Sequence, residues 1–170
     1  MKQREQALLL LRKAAQDEAL LDEVLTSDQV SDEIIGFHCE QAAEKILKAL
    51  LSELGVRFRK THEIGALMAL LAQAGHALPD QFEKLDVLTP FGAIYRYEDY
   101  DAVVSLNRDA ARASVRELRV FCGNQTSGSQ RPIAIPPPAW GTANGSTEAG
   151  LAGAIRRMRA LRQEILAKVA

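Results

Sequence analysis

The chain has 170 residues, of which 47% are hydrophobic and 25% are charged, and its formal net charge at pH 7 is −1. These proportions, together with only two cysteines, exclude wholesale disorder, collagen-like repeats and a disulfide-dense scaffold. Aromatic residues make up 5% of the chain, whereas Ala and Leu are abundant, so helices are favoured over a β-sandwich or barrel. We therefore expect an all-α protein.

Hydrophobic periodicity predicts five helical segments before residue 123. They cover residues 3–25, residues 31–54 with Gly55 as the stop, a segment that begins after Thr61, a segment from Pro79 to near Pro90, and residues 101–122. Thr61 is a candidate N-cap, and Asp80 with Glu83 has capping-box spacing. Residues 103–106 would suit a strand in isolation, but nothing nearby would pair with them. Short connections between amphipathic helices predict an up-and-down antiparallel bundle of about five helices.

The composition changes at residue 123. Residues 1–122 hold 15 Lys and Arg against 20 Asp and Glu, a net charge of −5, whereas residues 123–170 hold 6 against 2, a net charge of +4. Residues 123–150 contain four of the six prolines and five of the eleven glycines, which predicts a flexible linker. Residues 151–170 predict a basic amphipathic tail helix that either docks an acidic partner or a membrane surface, or folds back on the bundle.

The chain shows no targeting or metal-binding signal. No stretch supplies the roughly 18 continuous apolar residues of a membrane-spanning helix, and the apolar run 7–11 is too short for the core of a signal peptide. Cys39 and Cys122 are expected to be reduced thiols, and the three histidines and two cysteines lack metal-ligand spacing. The sequence predicts a soluble cytoplasmic protein with no metal, no cofactor and no membrane partner.

A narrow polar arc follows the second predicted helix. It consists of His38, Gln41, Lys45 and Lys48, which lie within about 80° of one another at helical spacing. Two interpretations stay open. The arc is either the solvated back of a core helix, or a surface whose ammonium, amide and imidazole groups hold phosphate oxygens.

His62 closes a loop that also carries Arg57, Arg59 and Lys60. We expect His62 in the first turn of the third helix, where free backbone N–H groups attract anions and disfavour a protonated imidazole. It is then either a neutral base or ligand contact, or an exposed histidine at a helix start.

Arg96 lies between Tyr95 and Tyr97. The guanidinium is either neutralised by the acidic residues that follow, or binds phosphate while Tyr97 stacks on a base. We expect Lys45, Lys48, His62 and Arg96 to border one cleft.

The fifth predicted helix carries a stripe of four arginines, Arg108, Arg112, Arg116 and Arg119. Like charges at this spacing repel one another. The stripe is therefore either solvated or paired with acids of another element, or it awaits an anionic partner.

Three motifs in this order resemble the HEPN domain family of small prokaryotic helical proteins. Residues 37–51 read FHCEQAAEKILKALL, residues 60–64 read KTHEI, and residues 88–97 read LTPFGAIYRY. The resemblance covers about residues 4–122. It implies a bundle of about five helices that is usually paired into homodimers, and it implies nucleotide or RNA binding. Many members stand beside a nucleotidyltransferase encoded nearby, and several branches are toxins of toxin–antitoxin pairs.

The ribonuclease branches of the family carry an arginine followed four to six residues later by a histidine. This chain has no histidine after His76, so that motif is missing after Arg96. The branch most like this one has Arg-Tyr-Pro at the third motif, where Glu98 replaces the proline here. The resemblance therefore favours a binding protein over an enzyme.

Three hypotheses of function follow. The first is a homodimeric module of residues 1–122 that binds a nucleotide, RNA or a nucleotidyltransferase partner. The second is a metal-independent ribonuclease, with Arg96 and either His62 or His38 as the catalytic candidates. The third is a dimerising scaffold whose tail recruits something else. The candidate ligand-binding residues are His38, Gln41, Lys45, Lys48, His62, Arg96 and Tyr97.

Overall fold

The structure, a computed structural model, describes residues 2–93 and 105–126. The predictions about Arg96, Tyr97, residues 127–150 of the linker and the tail helix lie outside these residues. Within them the chain forms five α-helices and one 3₁₀ helix and contains no strand, which confirms the predicted all-α fold. The elements are α1 (Lys2–Val24), α2 (Asp32–Glu53), α3 (Ile64–Gln73), the 3₁₀ helix (Asp80–Leu88), α4 (Thr89–Ala93) and α5 (Arg108–Thr126).

Helix α2 is the centre of the bundle and packs against each of the other described elements. Its apolar residues are almost all buried, as the sequence periodicity predicts, among them Ile35, Ile46, Leu47 and Leu51. Full burial of each such side chain stabilises the fold by roughly 1.5–3 kcal/mol. The central position of α2 explains why its apolar face is wide and its polar arc is narrow.

Polar contacts give the directions of the long helices. Arg4 at the start of α1 pairs with Glu53 at the end of α2, so α1 and α2 are antiparallel. Arg108 at the start of α5 pairs with Asp32 at the start of α2, so α5 runs in the same direction as α2. None of the described helices is long and apolar enough to cross a membrane.

Helix α2 ends as its sequence predicts. Gly55 adopts a φ of 71°, a left-handed conformation that glycine takes at little cost. This geometry lets the N–H of Val56 donate to the carbonyl of Leu51, 2.8 Å away. The bond satisfies one of the carbonyl groups that a helix end leaves without an intrahelical partner.

The predicted fourth helix is instead a 3₁₀ helix followed by the short α4. Phe82, Leu85 and Leu88 are buried, and a spacing of three residues places them on one side of a 3₁₀ helix, which has three residues per turn. Pro79 occupies the N-cap position with no side-chain cap bond, so the capping box expected from Asp80 does not form. Pro90 lies in the first turn of α4. An N–H group at this position would have no intrahelical partner, so its absence in proline costs the helix no hydrogen bond.

Helix α3 begins later than predicted, and its first N–H groups bond to side chains of the 3₁₀ helix and of α4. The N–H of Ile64 donates to Thr89 Oγ1 at 3.1 Å, and that of Gly65 donates to Asp86 Oδ1 at 2.8 Å. The N-cap position is held by Glu63 rather than Thr61. The predicted cap was wrong because the satisfying oxygens come from a segment more than 20 residues away.

Helix α5 begins later than residue 101 and continues past residue 122 to Thr126, so the first four residues of the predicted linker are helical. Asn107 Oδ1 accepts a hydrogen bond from the N–H of Ala110 at 3.0 Å, which is the geometry of an N-cap. The N–H of Leu106 donates to Asp32 Oδ2 at 2.9 Å. Residues 105–107 therefore belong to neither a helix nor a strand, and Leu106 is bonded to the start of α2.

Substitution of Gly36 by alanine is expected to destabilise the fold. A Cβ at Gly36 would lie 2.2 Å from Phe91 Cδ1, and such overpacking costs about 1–3 kcal/mol. Urea unfolding followed by circular dichroism measures the change. Gly123→Ala is the matched control in α5, because a Cβ there meets nothing within 4 Å. Equal stabilities of the two variants would contradict the packing of α4 on α2.

Candidate functional site

Asp17 of α1 anchors the first half of the polar arc on α2. Its Oδ1 lies 3.1 Å from His38 Nδ1, and its Oδ2 accepts a 2.8 Å hydrogen bond from Lys45 Nζ. Burial favours a higher pKa for Asp17, but the bonds to His38 and Lys45 outweigh it and lower the pKa below its usual 3.8. The carboxylate therefore stays charged and neutralises Lys45.

Glu44 anchors the second half of the arc and joins α2 to the following loop. Its Oε1 accepts a 2.9 Å hydrogen bond from Lys48 Nζ, and its Oε2 lies 2.7 Å from His62 Nδ1. Lys48 also donates to the carbonyl of Thr61 at 2.6 Å. The end of the loop is thus held against α2 by a charged and hydrogen-bonded cluster.

Gln41 links this arc to a carboxyl group in the core. It accepts from Lys45 Nζ through Oε1 at 2.8 Å and donates from Nε2 to Glu40 Oε2 at 2.9 Å. Glu40 is fully buried. Burial, with the Glu44 carboxylate nearby, raises the pKa of Glu40 to about 8.

The structure brings together five of the predicted site residues, which are His38, Gln41, Lys45, Lys48 and His62. His62 lies two residues before α3 rather than in its first turn, which corrects the expected position. A common cleft with Arg96 and Tyr97 stays a prediction, because both residues lie outside the described ranges.

Sequence reasoning missed the three carboxylates that organise this site. The Glu44–Lys48 pair was readable from its i, i+4 spacing. Asp17 offered no such signal, since it stands 28 residues before Lys45. Glu40 reads as part of a polar helix face until its burial is known.

The loop between α2 and α3 carries a second group of cations. Arg57, Arg59 and Lys60 are exposed, and in the described part of the chain none of them takes part in an ion pair or a side-chain hydrogen bond. His62, whose side chain is 61% exposed, lies at the end of this group. We name Arg57, Arg59, Lys60 and His62 the cationic loop.

The arginine stripe of α5 differs from this loop because its members are paired internally. Arg112 donates to Asp22 and Glu18, while Arg116 donates to Asp22 at 2.7 Å. Arg119 pairs with Glu18, and Arg108 pairs with Asp32 and donates to three backbone carbonyls. The stripe therefore joins α5 to α1 and to the start of α2.

Both cysteines are buried and free. Burial raises the pKa of Cys39 and of Cys122 to about 12. Since the thiolate is the reactive form, both residues act as small apolar side chains of the core.

Comparison with known proteins identifies the family. A family model for the HEPN domain matches residues 7–123, a range that includes nearly all of the described helices and the whole polar arc. No curated protein and no solved structure gives a match. The match covers more than half of the chain, and it supports a nucleotide- or RNA-related role in general. The chain belongs to the HEPN domain family.

Proposed function

We propose that this chain binds a nucleotide or RNA through the cationic loop and the adjoining polar arc of α2. In this proposal it acts as a homodimer and as one half of a nucleotidyltransferase/HEPN pair of the toxin–antitoxin type. The observation that carries the binding part is the contrast between paired and unpaired cations. Three exposed cations that have no ion partner among the described residues stand beside a cluster in which every lysine has one.

The paired lysines are not the main source of attraction for an anion. Lys45 is neutralised by Asp17 and Lys48 by Glu44, so the cluster carries no net charge when both imidazoles are neutral. An incoming phosphate would have to compete with those carboxylates. Arg57, Arg59 and Lys60 have no such competitor in the ranges 2–93 and 105–126, and guanidinium groups bind phosphate oxygens in a bidentate manner.

The cluster gives the loop a defined position. Lys48 bonds at once to Glu44 and to the carbonyl of Thr61, and the same Glu44 holds His62. A loop that is already ordered loses less conformational entropy when it binds. We therefore assign His62 and Lys48 to the border of the binding surface, and we include Arg96 and Tyr97 on the strength of the family resemblance.

One observation supports the ribonuclease alternative. The exposed imidazole of His62 has a carboxylate oxygen 2.7 Å from Nδ1, and such a pairing orients a histidine for general acid–base work. Cleavage of labelled RNA that is lost in both His62→Ala and Arg96→Ala would favour this alternative.

The binding proposal is tested by replacing the unpaired cations of the loop with alanine. We expect the Arg57/Arg59/Lys60 triple variant to bind a fluorescent single-stranded RNA at least about tenfold more weakly. We expect the slope of log K against log salt to fall by about 2, since each lost phosphate contact to a single strand contributes about 0.7. Fluorescence anisotropy at several salt concentrations measures both quantities.

The matched control removes the same charge from another surface. Lys2, Arg12 and Lys13 are exposed on α1, and their triple alanine variant is expected to keep wild-type affinity. Equal losses in the two triple variants would mean that binding reflects net charge alone, and the loop would then have no special role.

A further inference from the structure

Glu40 is a buried carboxyl group whose hydrogen bonding is incomplete. Its side chain has no exposed surface, and only Oε2 has a partner, the amide of Gln41. Oε1 has no hydrogen-bond partner in the described part of the chain. An ionised carboxylate in such a place is far less stable than a neutral carboxyl group.

Helix α4 covers this carboxyl group with its backbone. A Cβ at Gly92 would lie 2.5 Å from Glu40 Cδ and 2.7 Å from its Oε2, so only glycine allows the two helices to come this close. The preceding residue, Phe91, packs on Gly36 of α2. Movement of α4 away from α2 would therefore expose Glu40 to water.

The charges that act on Glu40 come from its own helix. Burial and the Glu44 carboxylate raise its pKa, and Gln41, Lys45 and Lys48 oppose them less strongly. The helical residues of α3 and α4 include no ionisable group.

Several charged groups on the remaining elements packed on α2 bond to partners other than Glu40. Asp17 of α1 is occupied by His38 and Lys45, and Asp86 of the 3₁₀ helix caps α3. The arginines of α5 are bound to the carboxylates of α1 and to Asp32. Outside its own helix, the described elements therefore supply no cation that would stabilise an ionised Glu40.

We propose that Glu40 is a proton-dependent latch, which holds α4 against α2 while the carboxyl group is protonated and releases α4 when the proton is lost. Opening would give the carboxyl group water and its ordinary acidity, so each opening event releases one proton. The latch acts on the helix that ends three residues before Arg96 in the sequence. It does not depend on the proposed function, because it rests only on the contact between α2 and α4.

Hydrogen exchange of the full chain tests the latch. After correction for the intrinsic rate, we expect the opening constant at the amides of Phe91 and Gly92 to rise on the order of a hundredfold from pH 5.5 to pH 8, since release of one proton gives about tenfold per pH unit. We expect no such rise in Glu40→Gln. Glu33→Gln, which changes an exposed carboxyl group at the start of the same helix, should behave as the wild type.

The amide of Leu118 in α5 separates local from global opening. Opening constants at α4 that equal those at Leu118 at every pH would mean that α4 opens only when the whole chain unfolds, and they would overturn the latch. The latch would also be overturned if the opening constant at α4 did not depend on pH in the wild type, or if it depended on pH equally in Glu40→Gln.

Should Glu40→Gln fail to fold, Glu44→Gln is the second variant. Loss of its charge should move the pH dependence at α4 to lower pH, and an unmoved midpoint would again overturn the proposal.

Discussion

Replacement of Arg112 by alanine is expected to lower the free energy of unfolding by about 3–5 kcal/mol, the usual cost of leaving buried charges without their partner. Arg112 is 3% exposed, and its guanidinium holds Asp22 at 2.9 and 3.1 Å and Glu18 at 3.2 Å. Alanine would leave Glu18 buried with Arg119 as its remaining ion partner. Urea unfolding monitored by circular dichroism measures the loss.

Arg116 provides the matched control for this experiment. It bonds to the same carboxylate of Asp22 at 2.7 Å, but its side chain is 59% exposed. Water screens such a pair, so Arg116→Ala should cost no more than about 1 kcal/mol. The double variant Arg112→Ala/Glu18→Gln should recover part of the loss, because the stranded charge is then gone. A cost for Arg112→Ala as small as that for Arg116→Ala would show that burial does not strengthen this network.

The second large effect is a loss of stability as the pH rises. The pKa of Glu40 is about 8 in the folded chain against an ordinary value of 4.5, so between these values the folded state holds one proton more than the unfolded state. The free energy of unfolding should then fall by about 1.4 kcal/mol per pH unit, or roughly 5 kcal/mol in total, and level off above pH 8. In Glu40→Gln this slope should disappear, while Glu33→Gln should keep it.

At acidic pH the free energy of unfolding changes in the opposite direction, because it falls as the pH falls. Burial favours a higher pKa for Asp17, yet its bonds to His38 and Lys45 lower it, while the Arg112 bond lowers the pKa of Asp22 and the Leu106 N–H lowers that of Asp32. The stabilisation that these three carboxylates contribute is fully present above pH 3.8. It is lost as the pH falls through their lowered pKa values. Together with Glu40, these groups place maximal stability between about pH 4 and pH 5. Unfolding curves at pH 3 to 8.5 check this, and a maximum near pH 7 would contradict it.

Helices α1 and α2 were the most predictable part of the fold. Helices α1 and α2 begin and end within about one residue of the positions expected from periodicity, because a long apolar stripe allows one helical phase only. Gly55 stops α2 for a reason that is purely local. The predicted start of α3 was wrong because its first N–H groups bond to Asp86 and Thr89, which lie more than 20 residues away along the chain. The predicted start of α5 was wrong because Leu106, just before the helix, is bonded to the remote Asp32. The segment that forms the 3₁₀ helix was wrongly predicted to be an α-helix.

The candidate site, like the fold, could be predicted from the sequence only in part. Helical spacing alone placed His38, Gln41, Lys45 and Lys48 on one face, and the sequence alone placed the cations of the cationic loop in one short segment. Whether a given cation is free or neutralised depends on carboxylates that folding brings from another element, as Asp17 does for Lys45.

The amino-acid sequence by itself determined the all-α class, the central amphipathic helix and the family, because these follow from periodicity and from motifs contained within short segments. Only the tertiary structure decided which charges are paired and that Glu40 lies beneath Gly92. Pairing and burial depend on distances between segments that are remote in sequence, and these distances exist only once the helices have packed.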